Sequence, residues 1–281
     1  MRLVGWDTSS KAAALVALEW PTSSKKGWQE VRLVSELNLD VDTTQSERLL
    51  WGLDQLLESS RWKLRDVDLF AVGVGPGSFT GLRIGVTTAR TLAHSVQKPL
   101  IPVSSLAALA RPAALWAAQL EKRVVVVAAT DACKGELFAL FGSARSIADC
   151  VVPAMGDSSG LWKRGVDEFV ITPGELLKAV KKKMSEGTSS VAKEALWLAV
   201  GEGRMRYLDL WKKLPASKEL QSVLPFSQGV QGRYLGQLAW EAYQAGMARP
   251  ALKVVPRYLR VSDAELKLKA GLLPPGPTRG H

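Results

Sequence analysis

Residues 73–85 read Gly-Val-Gly-Pro-Gly-Ser-Phe-Thr-Gly-Leu-Arg-Ile-Gly, with five glycines in thirteen positions. The apolar run 69–72 precedes this glycine block, and residues with helical spacing follow it: Leu82, Val86, Ala89, Ala93 and Val96. The stretch therefore predicts a strand, a tight glycine turn and a helix. A turn of this kind either cradles a phosphate or lets two backbone segments approach closely. Which of the two applies decides what the protein does.

The glycine block fits neither of the common phosphate-binding templates. A Walker loop needs a lysine after its last glycine, whereas Gly81 is followed by leucine and arginine. A dinucleotide loop needs glycines at positions one, three and six. Counted from Gly73, position six is Ser78, and counting from Gly75 fits no better. Close packing is therefore favoured over phosphate binding.

Length and composition indicate a globular protein. The 281 residues, 47% of them hydrophobic, suffice for one or two cores. No apolar run reaches the roughly 18 residues that a membrane helix needs, and residues 1–7 read as a strand start and not as a signal peptide. Cys133 and Cys150 are too few for a disulfide framework, so a cytoplasmic setting without a membrane partner is expected.

Histidine is almost absent from the chain. The two histidines are His94 and His281, the last residue. A histidine metal site or a Ser-His-Asp triad would therefore rest on His94 alone. Because His94 lies in a predicted helix of apolar and small residues, a structural role is favoured, which argues against most hydrolytic chemistry.

The positive charge is concentrated in the second half of the chain. The net charge is +10, of which residues 1–150 contribute +2 and residues 151–281 contribute +8. Such an excess can attract RNA or an acidic partner. The run 181–183, three lysines, ends a predicted helix, where the helix dipole favours cations in any case. Both interpretations remain open.

The apolar patterning predicts an α/β protein with two related lobes. We predict a first lobe over residues 1–104, a second lobe over 105–265 and a disordered tail over 266–281. The last helix of the second range could pack back on the first lobe. Strands are predicted over 3–6, 12–18, 31–37, 68–74, 99–103, 123–129, 137–141 and 196–200. Helices are predicted from about Ser46 with a face of Leu49, Leu50, Leu53, Leu56 and Leu57, after the glycine block, over 104–119 with a break at Pro112, over 173–183 and over 228–245.

Five motifs together resemble the TsaB (YeaZ) family of tRNA threonylcarbamoyladenosine biosynthesis proteins. They are residues 5–10, 46–50, 73–85, 131–136 and 256–260. The resemblance covers residues 1–142 well and 195–265 loosely. It implies the two-lobe actin-like ATPase fold (actin/sugar-kinase/Hsp70) with a degenerate second lobe. The chain departs from the family at Gln45, where a histidine is frequent, in residues 20–28, in 143–195 and in the proline-rich tail.

The resemblance also implies a function and partners. Members of the family are non-catalytic scaffolds for threonylcarbamoyl transfer to adenosine 37 of tRNA. They dimerise with the catalytic paralogue TsaD and act with the ATPase TsaE. A homodimer is expected when the chain is alone, and tRNA is reached through the complex. No cofactor is expected on this chain, with ATP or ADP left open at the complex interface.

The metal site of the catalytic paralogue is not expected in this chain. In TsaD two metal-binding histidines stand four residues apart, at the start of the helix after the fifth strand. Their counterparts here are Ser105 and Leu109. Serine is a poor metal ligand, and leucine has no atom that can bind a metal. We therefore predict neither a metal site nor catalytic residues.

The residues predicted to contact a partner lie on two helices. Small residues four apart, Gly81, Gly85 and Ala89, form a ridge on which another helix can pack closely. If the ridge serves a partner and not the chain's own lobe, Gly85→Leu blocks docking and leaves the monomer folded. The remaining members of the predicted interface are Thr88 beside the ridge and Arg48, Trp51, Gly52 and Gln55 on the first helix.

Two enzyme-like functions and one binding function also remain open. In a kinase or ATPase of the same superfamily, Asp7 would orient Mg²⁺ and residues 201–203 would hold phosphate. The residues that would contact nucleotide are Asp7, Thr8, Ser9, Ser10 and Asp131. The second possibility is an inactive glycoprotease-like peptidase homologue, and the third is direct tRNA binding through the basic second half.

Overall fold

The computed structural model describes residues 1–21, 31–40, 45–149, 167–185, 196–207, 209 and 229–260. Most of the predicted hairpin tip 21–28, residues 150–166 and 186–195, and the predicted disordered tail 266–281 lie outside the described residues.

A five-stranded sheet forms the first lobe. Its strands are β1 (Arg2–Asp7), β2 (Ala12–Glu19), β3 (Arg32–Asp40), β4 (Leu69–Gly73) and β5 (Leu100–Val103), in the order β3-β2-β1-β4-β5. β1, β2 and β3 pair antiparallel, whereas β4 and β5 run parallel to β1. The inner strands β1, β2 and β4 are buried on both faces, which explains their near-continuous apolar sequences.

Helices α1 (Gln45–Ser60) and α2 (Phe79–Ser95) cover one face of this sheet. The predicted leucine face of α1 is correct except at Leu50, which is 56% exposed. Leu49 and Leu53 point to the sheet, and Leu50 lies about 100° further round the helix than Leu49. The apolar stripe is therefore narrower than the run of leucines suggests.

A four-stranded sheet forms the second lobe. Its strands are β6 (Val124–Asp131), β7 (Leu137–Ser143), β8 (Asp167–Ile171) and β9 (Leu196–Val200), in the order β8-β7-β6-β9. β6, β7 and β8 pair antiparallel and β9 is parallel to β6. Strand order and directions therefore repeat those of β3-β2-β1-β4 in the first lobe.

Helices cover both faces of the second sheet. They are α3 (Ser105–Ala117), α4 (Ala144–Ala148), α5 (Pro173–Ser185) and α6 (Glu202–Arg206). α3 and α4 pack on one face and α5 on the other. Pro112 lies inside α3 without ending it, so the predicted break is wrong.

The last helix, α7 (Gly232–Gln244), packs on the first sheet. A Cβ at Gly236 would lie 2.3 Å from Cδ1 of Leu18, so glycine here lets the helix approach β2 closely. The buried guanidinium of Arg111 in α3 forms an ion pair with Glu241 of α7, to which the Gln237 amide also donates at 3.2 Å. α3 and α7 therefore join the two lobes on the side of the first sheet opposite α1 and α2.

Across the described parts of the chain, every helix is too short or too polar to cross a lipid bilayer.

Candidate functional site

The turn after β1 forms a buried hydrogen-bond network at the cleft between the lobes. Asp7 is fully buried, and its Oδ1 accepts hydrogen bonds from the backbone N–H of Ser9 at 2.9 Å and from the Ser9 hydroxyl at 2.6 Å. Its Oδ2 accepts from the Ser105 hydroxyl, whose oxygen in turn accepts from the N–H of Gly75. Three donors of the chain itself thus occupy the Asp7 carboxylate.

The glycine block packs directly against this turn. A Cβ at Gly73 would lie 1.8 Å from Oδ2 of Asp7, and a Cβ at Gly77 would lie 2.3 Å from the Ser9 carbonyl oxygen. Both distances are far below the 3.0 Å that real Cβ contacts respect. Glycines in the block therefore make room for the turn after β1, and the two motifs form one packed unit.

Two side chains of β1 and its turn hold α2 in place. The Thr8 hydroxyl donates to the carbonyl of Gly81 at 2.7 Å, and the Trp6 indole N–H donates to the carbonyl of Gly85 at 3.0 Å. A Cβ at Gly85 would lie 2.1 Å from Oγ1 of Thr8. The small ridge consequently faces β1, and Gly81, Gly85 and Ala89 are all buried.

The structure thus places three residues of the predicted partner ridge, Gly81, Gly85 and Ala89, inside their own lobe. The spacing of small residues correctly indicates a close approach, but the approaching segment belongs to the same lobe. Gly52 of α1 likewise packs inside its own lobe, since a Cβ there would lie 2.8 Å from Cδ1 of Leu39 in β3. These four positions lack the accessible surface that an interface needs.

The other predicted interface residues are accessible. Arg48 and Trp51 are exposed, Trp51 by 55%, and Gln55 and Thr88 are half-buried. Helical spacing measured from the buried positions identifies further accessible residues that sequence reasoning missed. We call the following set the outer face: Leu50 and Trp51 of α1, and Thr80, Arg83, Thr87 and Thr91 of α2.

The residues predicted to contact nucleotide divide into two groups. Asp7 and Thr8 are fully buried and present no surface to the cleft. Ser9, Ser10 and Asp131 line the interlobe cleft, whose volume is about 1000 Å³. Asp131 forms an ion pair with Arg206 and accepts the N–H of Cys133.

A C-terminal segment, which we call the strap (residues 254–260), crosses this cleft. The N–H of Arg257 donates to the carbonyl of Val74 in the first lobe at 2.8 Å. The Arg257 guanidinium forms an ion pair with Glu168 of β8, to which the Ser104 hydroxyl also donates. Arg260 donates to the carbonyl of Ala132 in the second lobe. The strap therefore connects both lobes through polar contacts.

Aromatic rings close one edge of the cleft. Tyr258 of the strap lies on Phe79 at the start of α2, with ring centroids 4.7 Å apart, and the Arg83 guanidinium lies 4.7 Å from the Phe79 centroid. Burial raises the pKa of Tyr258, and the charge of Arg83 opposes that rise. The strap thus contacts the helix whose other residues form the outer face.

The remaining candidate residues have structural roles or lie at the surface. Leu109 is buried, and a Cβ at Gly201 would lie 2.9 Å from its Cδ2 and 2.2 Å from the Ala129 carbonyl oxygen. Gly201 therefore serves packing against β6. His94 is exposed at the end of α2, not packed in the core. In the described ranges, His, Cys, Asp and Glu form no group of three that would hold a metal ion.

The network around Asp7 predicts a pH-dependent stability. Burial raises the pKa of Asp7, and its hydrogen bonds only partly oppose this. The folded protein then binds a proton more tightly than the unfolded chain. The contribution of Asp7 to stability is therefore present below the ordinary pKa of 3.8 and is lost as pH rises to the folded value.

We expect Asp7→Ala to lower the free energy of unfolding by about 1–3 kcal/mol, because buried donors lose their acceptor. Asp7→Asn keeps an acceptor for Ser9, so it should cost less, and its stability relative to wild type should improve as pH rises above 3.8. Urea denaturation across pH measures both. Equal losses in the two variants, or a pH-independent difference, would contradict the proposed network.

The profile of the family described as TsaD, tRNA N6-adenosine threonylcarbamoyltransferase, matches residues 41–166. The tRNA threonylcarbamoyladenosine biosynthesis protein TsaB of Haemophilus influenzae is 28% identical over 92% of this chain and 94% of its own length. The TsaB protein of Escherichia coli is 29% identical over 95% of this chain and 98% of its own length.

Solved structures agree with these likenesses. A protein with similarity to the peptidase YeaZ from Pseudomonas aeruginosa is 25% identical with a TM-score of 0.63, over 92% of this chain and 99% of that one. YeaZ from Pseudomonas aeruginosa has the same fold, with a TM-score of 0.61. It is 23% identical over 92% of this chain and 100% of that one. Together with the glycine block packed on the turn after β1, these likenesses show that the chain is similar to TsaB (YeaZ) proteins over almost its whole length.

Proposed function

We propose that this protein acts in threonylcarbamoyladenosine biosynthesis on tRNA, as a subunit that supplies no catalytic group. It docks through its first lobe on a TsaD-family transferase, which performs the threonylcarbamoyl transfer to adenosine 37. The ATPase TsaE acts with the pair. The relatives that span almost the whole chain carry the TsaB name, which supports the pathway.

The observation that carries the non-catalytic role is the state of Asp7. A phosphotransferase of the actin-like type needs this carboxylate accessible to a metal or phosphate. Here it is fully buried and accepts three hydrogen bonds from Ser9 and Ser105. The strap, with Arg257 paired to Glu168, lines the cleft in which a nucleotide would lie. These contacts disfavour the kinase alternative.

The second lobe fits a shortened copy of the first. Its four strands repeat the order and directions of β3-β2-β1-β4, and no strand of the described second lobe corresponds to β5. This supports a degenerate second lobe of the actin-like fold. A lobe maintained for packing and not for holding nucleotide suits a scaffold.

The outer face is the surface that we assign to docking. Leu50 and Trp51 are large apolar side chains on adjacent positions of α1, each more than half exposed. Exposed tryptophan is the residue type most often found at the energetic centre of an interface. On α2 three of the four outer-face residues are short threonines, and the fourth, Arg83, lies against the Phe79 ring, so a partner helix meets few long side chains there. The same surface on a second copy of the chain would form the homodimer. ATP or ADP, where it binds, would bind at the interface of the assembled complex.

Trp51→Ala is expected to weaken binding to the TsaD-family transferase of the same organism by about 30-fold, which corresponds to a hot spot of about 2 kcal/mol. The folding stability should change by less than about 0.5 kcal/mol, because the side chain is 55% exposed. Isothermal titration calorimetry and thermal melts measure the two quantities.

The matched control is Trp116→Ala, another exposed tryptophan, 38% exposed on α3 away from the outer face. It should bind the transferase as wild type does. Wild-type affinity of the Trp51→Ala protein, or an equal loss in both variants, would show that docking uses another surface.

The proposed function as a whole is tested by reconstitution. With ATP and a threonylcarbamoyl donor supplied, the transferase and the TsaE-type ATPase should form threonylcarbamoyladenosine on tRNA only when this protein is added, and Trp51→Ala should reduce the yield. The purified protein alone should not hydrolyse ATP above background. Turnover that disappears in Asp7→Ala would instead support the kinase alternative.

A further inference from the structure

Cations from three separated segments meet at the end of the second sheet that is remote from the cleft. β6 begins at this end and reaches the cleft at Asp131, about 23 Å away along its eight residues. The segments are the approach to β6, helix α4 and the last turns of α5. We call this surface the basic end, formed by Lys122, Arg123, Arg145, Lys181, Lys182 and Lys183.

Contacts between the segments show that the basic end is one surface. The Arg123 guanidinium donates to the carbonyl of Lys183 at 3.0 Å, which ties the start of β6 to the end of α5. Lys122, Arg123 and Arg145 line the same shallow depression of about 160 Å³. Residues more than fifty positions apart in the sequence are therefore neighbours.

Helix dipoles account for only part of this charge. Six cations stand here against two nearby carboxylates of the described chain, Glu121 and Asp149, which leaves a charge of four. The C-terminus of α5 and the C-terminus of α3, which also borders the depression, each contribute about half a negative charge. Counted over the described residues alone, the cations of the basic end outnumber its carboxylates and the helix-end charges by about three.

We propose that the basic end binds the phosphate backbone of tRNA. The proposal rests on the proposed function, because that function brings tRNA to the complex. The basic end lies on the second lobe and the outer face on the first, so docking on α1 and α2 does not use the basic-end residues. Phosphate contacts of this kind position an RNA without reading its sequence.

The test uses the full-length protein alone with an unmodified, fluorescently labelled tRNA transcript. Fluorescence anisotropy is followed from about 50 to 200 mM salt for wild type and for Lys122→Gln/Arg145→Gln/Lys182→Gln. Each phosphate contact contributes about 0.7–0.9 to the slope of log affinity against log salt, so the variant should lose about 2–3 units of slope. Wild-type affinity should therefore fall roughly 20- to 40-fold more than that of the variant over this range.

The matched control is Arg61→Gln/Lys63→Gln/Arg65→Gln, which removes the same charge from exposed positions of the first lobe. It should retain the wild-type slope, and both variants should melt as wild type does. Equal losses in the two variants would reduce the effect to net charge and overturn the proposal.

Two further outcomes also contradict the proposal. Absence of tRNA binding by the wild-type protein at about 50 mM salt would refute the tRNA proposal. It would not affect the proposed docking function, because docking is measured without RNA. Binding of phosphatidylserine vesicles that is lost in the basic-end variant, with tRNA binding unchanged, would assign the surface to a membrane.

Discussion

Gly85→Leu is expected to prevent stable folding, or to lower the free energy of unfolding by more than about 3 kcal/mol. The first carbon of the new side chain would lie 2.1 Å from Oγ1 of Thr8. Thr8 is fully buried and its hydroxyl already donates to Gly81, so it has no space into which to move. Circular dichroism with urea denaturation measures the loss.

Variants at Thr8 test whether this contact is the cause. Gly85→Ala alone should cost about 1–3 kcal/mol. Combining it with Thr8→Ala should cost less than the sum of the single changes, because Oγ1 is removed and the Thr8 Cβ lies 3.4 Å from the new carbon. Thr8→Ser retains the hydroxyl and should give no relief.

A substitution on the opposite side of the same helix serves as the control. Thr91→Leu places a side chain of similar size at an exposed position and should change stability by less than about 0.5 kcal/mol. A Gly85→Leu protein that folds normally and only fails to bind the transferase would refute our placement of the ridge against β1. It would restore the interpretation of Gly85 as a partner contact.

Arg257→Ala is expected to lower the free energy of unfolding by about 3–5 kcal/mol near neutral pH. The Glu168 side chain is fully buried, and among the described residues removal of Arg257 leaves the Ser104 hydroxyl as the remaining partner of its charge. The strap would also lose its main polar contact with β8. Denaturation by urea measures the loss.

The cost of Arg257→Ala should decrease as pH falls. Burial already raises the pKa of Glu168 in the wild-type protein, and Arg257 partly opposes that rise. A carboxyl with a raised folded pKa favours the folded state below its ordinary pKa of 4.5, and this contribution is lost as pH rises to the folded value. Without Arg257 the folded value rises further, so the variant should approach wild-type stability in acid.

Two controls separate the buried pair from a general loss of an arginine. Arg249→Ala removes an exposed arginine eight residues earlier and should cost less than about 0.5 kcal/mol. Arg257→Met combined with Glu168→Leu removes both charges and should recover most of the loss. An Arg257→Ala cost below about 0.5 kcal/mol, or one that does not change with pH, would contradict the role that we assign to the ion pair.

Periodicity was sufficient for most elements because burial in this fold is local and regular. Strands such as β6 and β9 are apolar runs buried on both faces, and helices such as α1 and α2 have one apolar stripe. The failures fall where the pattern is ambiguous. Leu50 continues a run of leucines but faces outward, and Pro112 remains within α3.

The sequence by itself determined the lobe patterning, the absence of the histidine pair at Ser105 and Leu109, and the need for a close approach at the glycine block. The lobe patterning and the close approach depend on residue type and spacing alone, and the positions of the missing histidine pair come from the resemblance to TsaD. Only the tertiary structure decided what makes that approach: the chain's own Asp7–Ser9 turn fills the space over the glycines. The sequence cannot identify the approaching segment. A glycine indicates that another group comes close, but the segment that does so lies dozens of residues away in the chain.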